Sequence, residues 1–193
     1  MNDSSMTSSS SASRRYDEAL LHIERQENER ALELLDGLLH DEPRDARFRY
    51  ARAMAHIAMG TYRKAGCDLL RTVVLDPVFV PGWSHLGFVQ LTLGKEEAAL
   101  KTLGRALELD PDSAETWCVL GDVQLDLGEY DEALKAFRRA LELEPGSPEP
   151  HRKMAMYHVS RGDMKALRGE YEQLKTLDAD MAAQIGNLFF DEQ

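Results

Sequence analysis

Three histidines recur along the chain at one position of a regular spacing: His22, His56 and His158 are separated by 34 residues or by a multiple of 34. Imidazole is the commonest metal ligand and a frequent acid–base group, so this series raises the question of a metal site. Gln90 and Gln124 occupy the same position in the intervening copies. Successive members would lie roughly 10 Å apart, the distance between packed helices. Because zinc ligands lie about 2 Å from the ion, we predict structural histidines and no metal site.

The other reactive side chains favour structural roles as well. Cys118 has no basic neighbour in sequence that would lower the pKa of its thiol, so we expect a packing or groove role rather than a nucleophile. Acidic pairs such as Glu96-Glu97 begin predicted helices, where negative charge suits the helix dipole. The sequence contains no Gly-rich phosphate loop, no His-Glu-x-x-His motif and no paired CxxC. We therefore predict no enzymatic activity, no cofactor and no metal.

Composition limits the partners. The chain has 193 residues, of which 43% are hydrophobic and 30% are charged, values typical of one folded domain. Its formal net charge of -11 opposes the phosphate backbone, because nucleic-acid affinity depends on Lys and Arg displacing counterions. Nucleic acids and anionic membranes are accordingly poor candidates for partners.

Cysteine usage and the terminal sequences bear on the compartment. Only two cysteines are present, Cys67 and Cys118, so nothing requires an oxidising environment and a cytoplasmic location is expected. The segment MNDSSMTSSSSAS lacks the apolar run of a secretory signal, and no other segment has the ~18 to 20 apolar residues of a membrane span. Residues 1–11 are predicted to form a disordered Ser-rich tail, which would serve as a solvated end, a linker or a phosphorylation target.

A repeated sequence segment indicates the helical repeats that position these residues. The segment Leu93–Pro111 (LGKEEAALKTLGRALELDP) shares 11 of 19 paired positions with Leu127–Pro145 (LGEYDEALKAFRRALELEP). The period of 34 extends along most of the chain without gaps, and periods of 20 to 50 residues indicate helical solenoids or arrays. The predicted repeats are residues 12–45, 46–79, 80–113, 114–147 and 148–181.

Each recurring residue type predicts a feature of a helix pair. A small residue recurs in the middle of the first helix, where it allows the second helix to approach closely: Ala19, Ala53, Gly87, Gly121 and Ala155. The turn between the helices carries glycine in four of the five copies, where a left-handed backbone is favourable without a Cβ: Gly60, Gly94, Gly128 and Gly162, with Gln26 in the first copy. Prolines end the second helix, and Ser113 and Ser147 are candidate N-caps, with Pro148 at a first helical position.

The pattern resembles the tetratricopeptide repeat. Two rows carry its motif of Trp, Leu-Gly, a small residue, an aromatic or Leu, Ala and Pro: Trp83, Leu86, Gly87, Ala99, Leu103, Ala106 and Pro111, and Trp117, Leu120, Gly121, Ala133, Phe137, Ala140 and Pro145. The second row departs from it, with Arg49 and Arg52 where large apolar residues are usual, which suggests a locally shifted helix. The resemblance implies an all-α, right-handed superhelical solenoid of antiparallel helix pairs, with five repeats and a C-terminal capping helix.

In the family, the first helix of each repeat lines an inner groove that receives peptides. The resemblance therefore implies a peptide-binding site made by Tyr16, Leu20, Ile23, Tyr50, Met54, Ile57, Ser84, Phe88, Leu91, Cys118, Asp122, Leu125, Arg152, Met156 and Val159. Most are apolar, which implies a protein or peptide partner with apolar anchors, and Asp122 and Arg152 would give polarity and direction. The alternative is that some of these side chains are core, above all the column that begins with Ile23 and Ile57.

Two subclasses of the tetratricopeptide repeat family differ in the chemistry of the groove. Family adaptors for heat-shock chaperone tails use a clamp of Lys, Arg and Asn, but the early rows here hold Tyr16, Leu20 and Ala51 instead, and later Pro81 and His85. An apolar groove in an acidic chain instead resembles small cytoplasmic chaperones that hold hydrophobic segments.

The C-terminal segment predicts one more amphipathic helix. Met181, Ile185, Leu188 and Phe189 have the spacing of one helical face, so residues 182–193 are predicted to form a capping helix and tail. Alternatively, Phe189 and Phe190 dock into a second copy, which would make the chain a self-assembling scaffold with the C-terminal helix as a homo-oligomer contact.

Overall fold

The computed structural model describes the backbone of residues 3–190 and the side chains of residues 11–190. This part of the chain contains eleven α-helices and no strand. By its internal contacts the chain divides into two compact units, Met1–Lys95 and Glu96–Gln193. The first unit contains α1 (Asp3–Glu24), α2 (Asn28–Asp41), α3 (Ala46–Ala58), α4 (Tyr62–Leu75) and α5 (Val80–Thr92). The second contains α6 (Glu96–Leu109), α7 (Ala114–Asp126), α8 (Tyr130–Leu143), α9 (Pro148–Arg161), α10 (Met164–Leu177) and α11 (Ala179–Phe189).

The helix boundaries follow the sequence period. Helices α3, α5, α7 and α9 begin at residues 46, 80, 114 and 148, and α2, α4, α6, α8 and α10 begin at 28, 62, 96, 130 and 164. Within each unit, helices that follow one another in sequence pack together, and α1 also contacts α3 as α7 contacts α9. The predicted all-α class of consecutive helix pairs is confirmed.

The turns within the helix pairs depend on a left-handed residue. Gly60, Gly94, Gly128 and Gly162 have φ values of 68°, 67°, 77° and 69°, as their column predicts. Gln26, the one exception in the column, adopts the same conformation with φ 60°. The turn geometry therefore persists in the first pair even though a side chain makes it unfavourable.

Helix starts agree with the predicted caps in part. The Ser113 hydroxyl accepts a hydrogen bond from the backbone N–H of Thr116 at 3.3 Å, so it caps α7. Ser147 occupies the N-cap position of α9 and Pro148 its first turn, but the Ser147 side chain makes no capping hydrogen bond.

The small residues in the middle of the first helices are buried as predicted. Ala19, Ala53 and Ala155 are all fully buried, and each belongs to a core cluster of its unit. In the second unit, Gly121 of α7 faces the fully buried ring of Phe137 on α8. These contacts set how closely the two helices of a pair approach.

The two arginines in the second row do not shift the helix. Helix α3 begins at Ala46, in register with the later first helices. The guanidinium of Arg52 donates hydrogen bonds to the Asp68 carboxylate at 2.8 and 2.7 Å, and Arg49 lies 3.6 Å from the same carboxylate. The expectation of a local shift is wrong, because an ion pair with α4 replaces the usual apolar contact.

The ends of the chain differ from the predicted boundaries. Helix α1 begins at Asp3, inside the segment 1–11 that was predicted as a disordered tail, since serine carries only a modest helix penalty. Helix α11 begins at Ala179, before the predicted capping segment 182–193. Residues 1, 2 and 191–193 lie outside the described part of the chain.

Candidate functional site

In the first unit, the predicted site residues lie on the helices that begin each pair, α1, α3 and α5. Steps of four and three residues place three side chains on one stripe of a helix. Eight of the predicted residues in this unit are neither fully buried nor fully exposed, namely Tyr16, Leu20, Ile23, Tyr50, Met54, Ile57, Phe88 and Leu91. We call this set the apolar face.

Aromatic contacts hold the α1 and α3 parts of the apolar face. The Tyr16 ring lies 5.1 Å from the Phe48 ring, and the Arg47 guanidinium lies over Tyr16 at 5.9 Å. Burial raises the pKa of the Tyr16 phenol, and Arg47 partly opposes this. Tyr16, Leu20 and Ile23 pack against the core beneath them while keeping part of their surface accessible.

Tyr50 and Phe88 are held by perpendicular ring contacts. The Tyr50 ring lies 4.8 Å from Phe79 and 5.6 Å from His85, and its hydroxyl is 3.4 Å from Nδ1 of His85. Phe88 meets the Tyr62 ring at 6.3 Å. Such contacts stabilise aromatic pairs beyond their buried area, so both rings are held by contacts within the chain itself.

Ser84 does not belong to an accessible surface. Its side chain is 1% exposed, and its hydroxyl donates to the carbonyl oxygen of Val80 at 3.3 Å. Ser84 therefore offers no accessible side-chain surface here, because its short side chain lies on the packed side of α5, and its place in a groove stays a prediction.

In the second unit, two of the corresponding positions of α7 and α9, Asp122 and Arg152, are charged and belong to a network of ion pairs. The Lys153 ammonium pairs with the Asp122 carboxylate and lies 3.5 Å from that of Glu149. Glu149 also accepts hydrogen bonds from the Arg152 guanidinium at 2.8 and 2.5 Å. Asp122 and Arg152 are thus engaged within the chain.

The pKa shifts follow from this arrangement. Burial raises the pKa of Asp122, although Lys153 opposes the shift. For Glu149, burial also acts to raise the pKa, but the hydrogen bonds and charges of Arg152 and Lys153 outweigh it, so the pKa is lowered. Asp122 is the more desolvated of the two carboxylates.

Cys118 is a core residue. It is 3% exposed and clusters with Ala114 and Ala140, and burial raises the pKa of its thiol to about 12. Of the packing and groove roles expected for Cys118, its burial supports packing. Its small size suits contact with two alanines.

The remaining predicted positions of the second unit differ in exposure. Met156 is 42% exposed. Leu125 and Val159 are half-buried and pack against core clusters of their own unit, as do Ile23 and Ile57 in the first unit. This column therefore contributes to the core and keeps some accessible surface.

Two of the three recurring histidines are hydrogen-bonded to nearby side chains, and the His158 ring contacts that of Tyr157 at 5.4 Å. Nδ1 of His22 lies 2.6 Å from the Glu27 carboxylate, and Nδ1 of His56 lies 2.9 Å from the Thr61 hydroxyl. Within residues 3–190, no three His, Cys, Asp or Glu side chains converge in a group that would hold a metal ion.

Sequence reasoning missed the partners that make these surfaces polar. Lys153 and Glu149 were not singled out, and neither was Asp68, which receives the Arg52 guanidinium. The signal for Asp68 was present, since an arginine at a usual core position requires an acid within reach.

A family comparison defines the class of protein. The tetratricopeptide repeat model matches residues 16–77 and 88–148, together well over half of the chain. The chain therefore belongs to the tetratricopeptide repeat family, whose fold serves as a protein–protein interaction module. No relative is found among curated proteins. In the described residues 3–190, no helix has the length and apolar content needed to cross a bilayer.

Solved structures share the fold. TTC0263, a thermophilic tetratricopeptide protein of Thermus thermophilus, superimposes with a TM-score of 0.82 at 23% identity, covering 91% of this chain and 97% of that one. MamA from Desulfovibrio magneticus RS-1 gives a TM-score of 0.71 at 20% identity, with 88% and 96% covered. YrrB, described as having an unusual peptide-binding site, gives 0.62 at 21% identity, with 90% of each chain covered.

Proposed function

We propose that the chain is a non-enzymatic peptide-binding module, an adaptor or chaperone, that holds a partner segment on the apolar face of its first unit. The observation that carries this proposal is the row of partly accessible apolar side chains on α1, α3 and α5, several fixed by ring contacts. Preformed apolar surface of this kind is uncommon without a partner. The fold shared with YrrB, a peptide-binding protein by its description, supports the proposal.

Binding requires the burial of two or three apolar side chains, because one alone does not offset the cost of ordering the peptide. Burying one apolar side chain contributes roughly 1.5 to 3 kcal/mol, while ordering a flexible peptide costs roughly 2 to 5 kcal/mol. Met54 and Phe88 lie on α3 and α5 and are both half-buried, so each has further area to lose to a partner. We expect peptides with several large apolar residues to bind with micromolar dissociation constants.

The test is selection of peptides from a random display library, followed by fluorescence anisotropy with the selected sequences. Met54→Asp combined with Phe88→Asp should weaken binding at least roughly tenfold, the effect of losing about 1.4 kcal/mol. The matched control is Val74→Asp with Val78→Asp, two valines of the same unit that are 76% and 70% exposed on and after α4.

Circular dichroism should show that both double variants keep their helices. Met54→Gln provides a milder change if the charged pair unfolds. Equal affinity of the Met54/Phe88 variant and the control for every selected peptide would reject the apolar face as the binding site.

A second candidate, self-assembly through the C-terminal helix, has narrower support. Phe189 and Phe190 pack against the core of the last pair, with the Phe190 ring 4.9 Å from Tyr171, as a capping helix requires. Leu188 of α11 is 73% exposed and is a large apolar side chain that a second copy could contact. Multi-angle light scattering should show a dimer that Leu188→Asp dissociates; a monomer at all concentrations would exclude this candidate. A cytoplasmic location stays a prediction.

A further inference from the structure

A cavity of about 510 Å³ lies on the first unit, lined by α2, α3 and α4. Its charged lining includes Arg52, Arg63, Lys64 and Arg71, with Asp36 and Asp68 as the acidic members. We call it the basic cavity. Four cations against two carboxylates is an unusual local balance in a chain whose formal net charge is -11.

Both carboxylates of the basic cavity are already hydrogen-bonded to Arg52. Arg52 donates two hydrogen bonds to Asp68 and a third to Asp36 at 2.6 Å. These hydrogen bonds, led by those to Asp68, raise the pKa of Arg52. Arg49 approaches Asp68 as well, at 3.6 Å. Two arginines therefore share two carboxylates, and no acidic charge is left over.

The other three cations of the basic cavity make no ion pair with the described residues. Arg63, Lys64 and Arg71 are exposed, and among the described residues none of them has a carboxylate within ion-pair distance. Burial lowers the pKa of Arg49, and repulsion from Arg71 lowers it further. The Arg49 Nε is buried without a hydrogen-bond partner in the described part of the chain. The region thus carries an excess of positive charge that a bound anion would relieve.

The spacing of the cations constrains the size of the anion. Arg63 and Arg71 are separated by two turns of α4, about 12 Å along the helix. A single phosphate-sized ion does not span this distance. An extended peptide covers it with roughly four residues at about 3.3 Å each, so carboxylates near the two ends of such a segment reach both groups.

The basic cavity is separate from the apolar face. At about 100° per residue, Arg52 and His56 project from the side of α3 opposite to Tyr50 and Met54. Burial lowers the pKa of His56, so it is neutral near pH 7 and adds no charge to the cavity. A ligand in the basic cavity therefore depends on the arginines and Lys64.

We propose that the basic cavity binds an acidic peptide segment, with Arg63 and Lys64 holding carboxylates at one end and Arg71 a carboxylate at the other. This would be a second interaction surface, independent of the proposed function of the apolar face. Charge complementarity identifies the occupant, since exposed arginines and a lysine at this spacing favour several carboxylates along one chain.

The test uses the full chain and a fluorescein-labelled poly-glutamate peptide, with poly-glutamine of equal length as the neutral probe. Changing Arg63, Lys64 and Arg71 to Gln together should weaken glutamate-peptide binding roughly tenfold, the effect of losing three solvent-exposed ion pairs. The matched control carries Lys101→Gln, Arg138→Gln and Lys165→Gln, three exposed cations of the second unit. The control should bind as the unmodified chain does, and binding should weaken with added salt.

A second readout needs no substitution. Cys67 lines the basic cavity and is exposed, whereas Cys118 is buried. Bound glutamate peptide should slow alkylation of Cys67 by iodoacetamide in proportion to the fraction of chain occupied. Met54→Gln should leave the protection of Cys67 by the glutamate peptide unchanged. The measurement therefore tests the basic cavity independently of peptide binding to the apolar face.

Several results would overturn the proposal. One is equal weakening by the two triple variants, which would indicate a response to net charge alone. Another is equal binding of poly-glutamine, and a third is displacement of the glutamate peptide by inorganic phosphate at equal concentration, which would indicate a small-anion site. Loss of Cys67 protection in Met54→Gln would place the peptide on the apolar face.

Discussion

Substituting Gly121 with alanine tests how tightly the helix pairs are packed. A Cβ at this position would lie 2.3 Å from Cε1 and 2.5 Å from Cδ1 of the Phe137 ring. Favourable carbon–carbon contacts lie at about 3.5 to 4.0 Å, so the ring has to move by about 1 Å or more. Phe137 is fully buried against Ala133 and Met154, which leaves it little room.

Two opposing effects set the change in the free energy of unfolding that Gly121→Ala causes. Overpacking a dense core costs roughly 1 to 3 kcal/mol, whereas replacing glycine by alanine inside a helix gains roughly 0.8 to 1 kcal/mol. We therefore expect Gly121→Ala to lower the free energy of unfolding by roughly 0 to 2 kcal/mol. Gly104→Ala in α6 is the matched control, because no atom lies within 4 Å of a Cβ there. It should raise the free energy of unfolding by roughly 0.8 to 1 kcal/mol.

Urea unfolding followed by circular dichroism measures both variants, with the slope checked for constancy. The difference between the two free energies isolates the steric cost, because helix propensity contributes equally to both. A Gly121→Ala protein stabilised as much as Gly104→Ala would refute the reasoning. Adding Phe137→Leu completes a double-mutant cycle. This substitution should destabilise the protein less in the Gly121→Ala background than in the unmodified chain, because there it also removes the ring that clashes with the new Cβ.

Three further predictions concern other parts of the chain. Gln26→Gly should raise the free energy of unfolding by roughly 0.5 to 1 kcal/mol, because glycine adopts the left-handed conformation of this turn without strain; no gain in the urea midpoint would contradict this. Asp45→Ala should cost about 1 kcal/mol near neutral pH, since the Asp45 carboxylate caps α3 through the backbone N–H of Arg47 at 2.8 Å. Burial acts to raise the pKa of Asp45, but the hydrogen bonds from Arg47 outweigh it and the pKa is lowered, so this stabilisation is present above the unfolded pKa and is lost as pH falls through the folded pKa. The difference between wild type and Asp45→Ala should therefore shrink in strong acid, and a constant difference would argue against the carboxylate. With Ellman's reagent at mildly alkaline pH, Cys67 should react at once and Cys118 only after unfolding, because burial raises the pKa of the Cys118 thiol to about 12; Cys67→Ser should abolish the fast phase, and two fast thiols would show that Cys118 is accessible.

The repeat pattern predicted the local structure well, for a physical reason. Helix starts and turns depend on residues close in sequence, such as the left-handed glycines from Gly60 to Gly162 and the capping Ser113. The same holds for the buried small residues Ala53 and Ala155, whose place on a helix face follows from the period. The family and the fold class could therefore be predicted from the sequence.

The candidate site was only partly predictable. The period identifies the face on which a side chain lies, but exposure depends on the neighbours that cover it. Ser84 and Cys118 lie on the predicted column and are nonetheless buried. Tyr50 and Phe88 are half-buried, and their ring partners, Phe79 at the N-cap of α5 and Tyr62 on α4, were not foreseen.

By itself the sequence determined where the helices from α2 to α10 begin and where the turns between them lie, because both depend on short-range steric and hydrogen-bonding preferences that recur every 34 residues. Only the tertiary structure decided which charges meet. Asp122 pairs with Lys153 of the next helix pair, and Arg52 on α3 pairs with Asp68 on α4. Arg63, Lys64 and Arg71 lie beside the second pair and make no ion pair within the part of the chain that the structure describes. Coulomb interactions act over distances set by packing rather than by spacing along the chain.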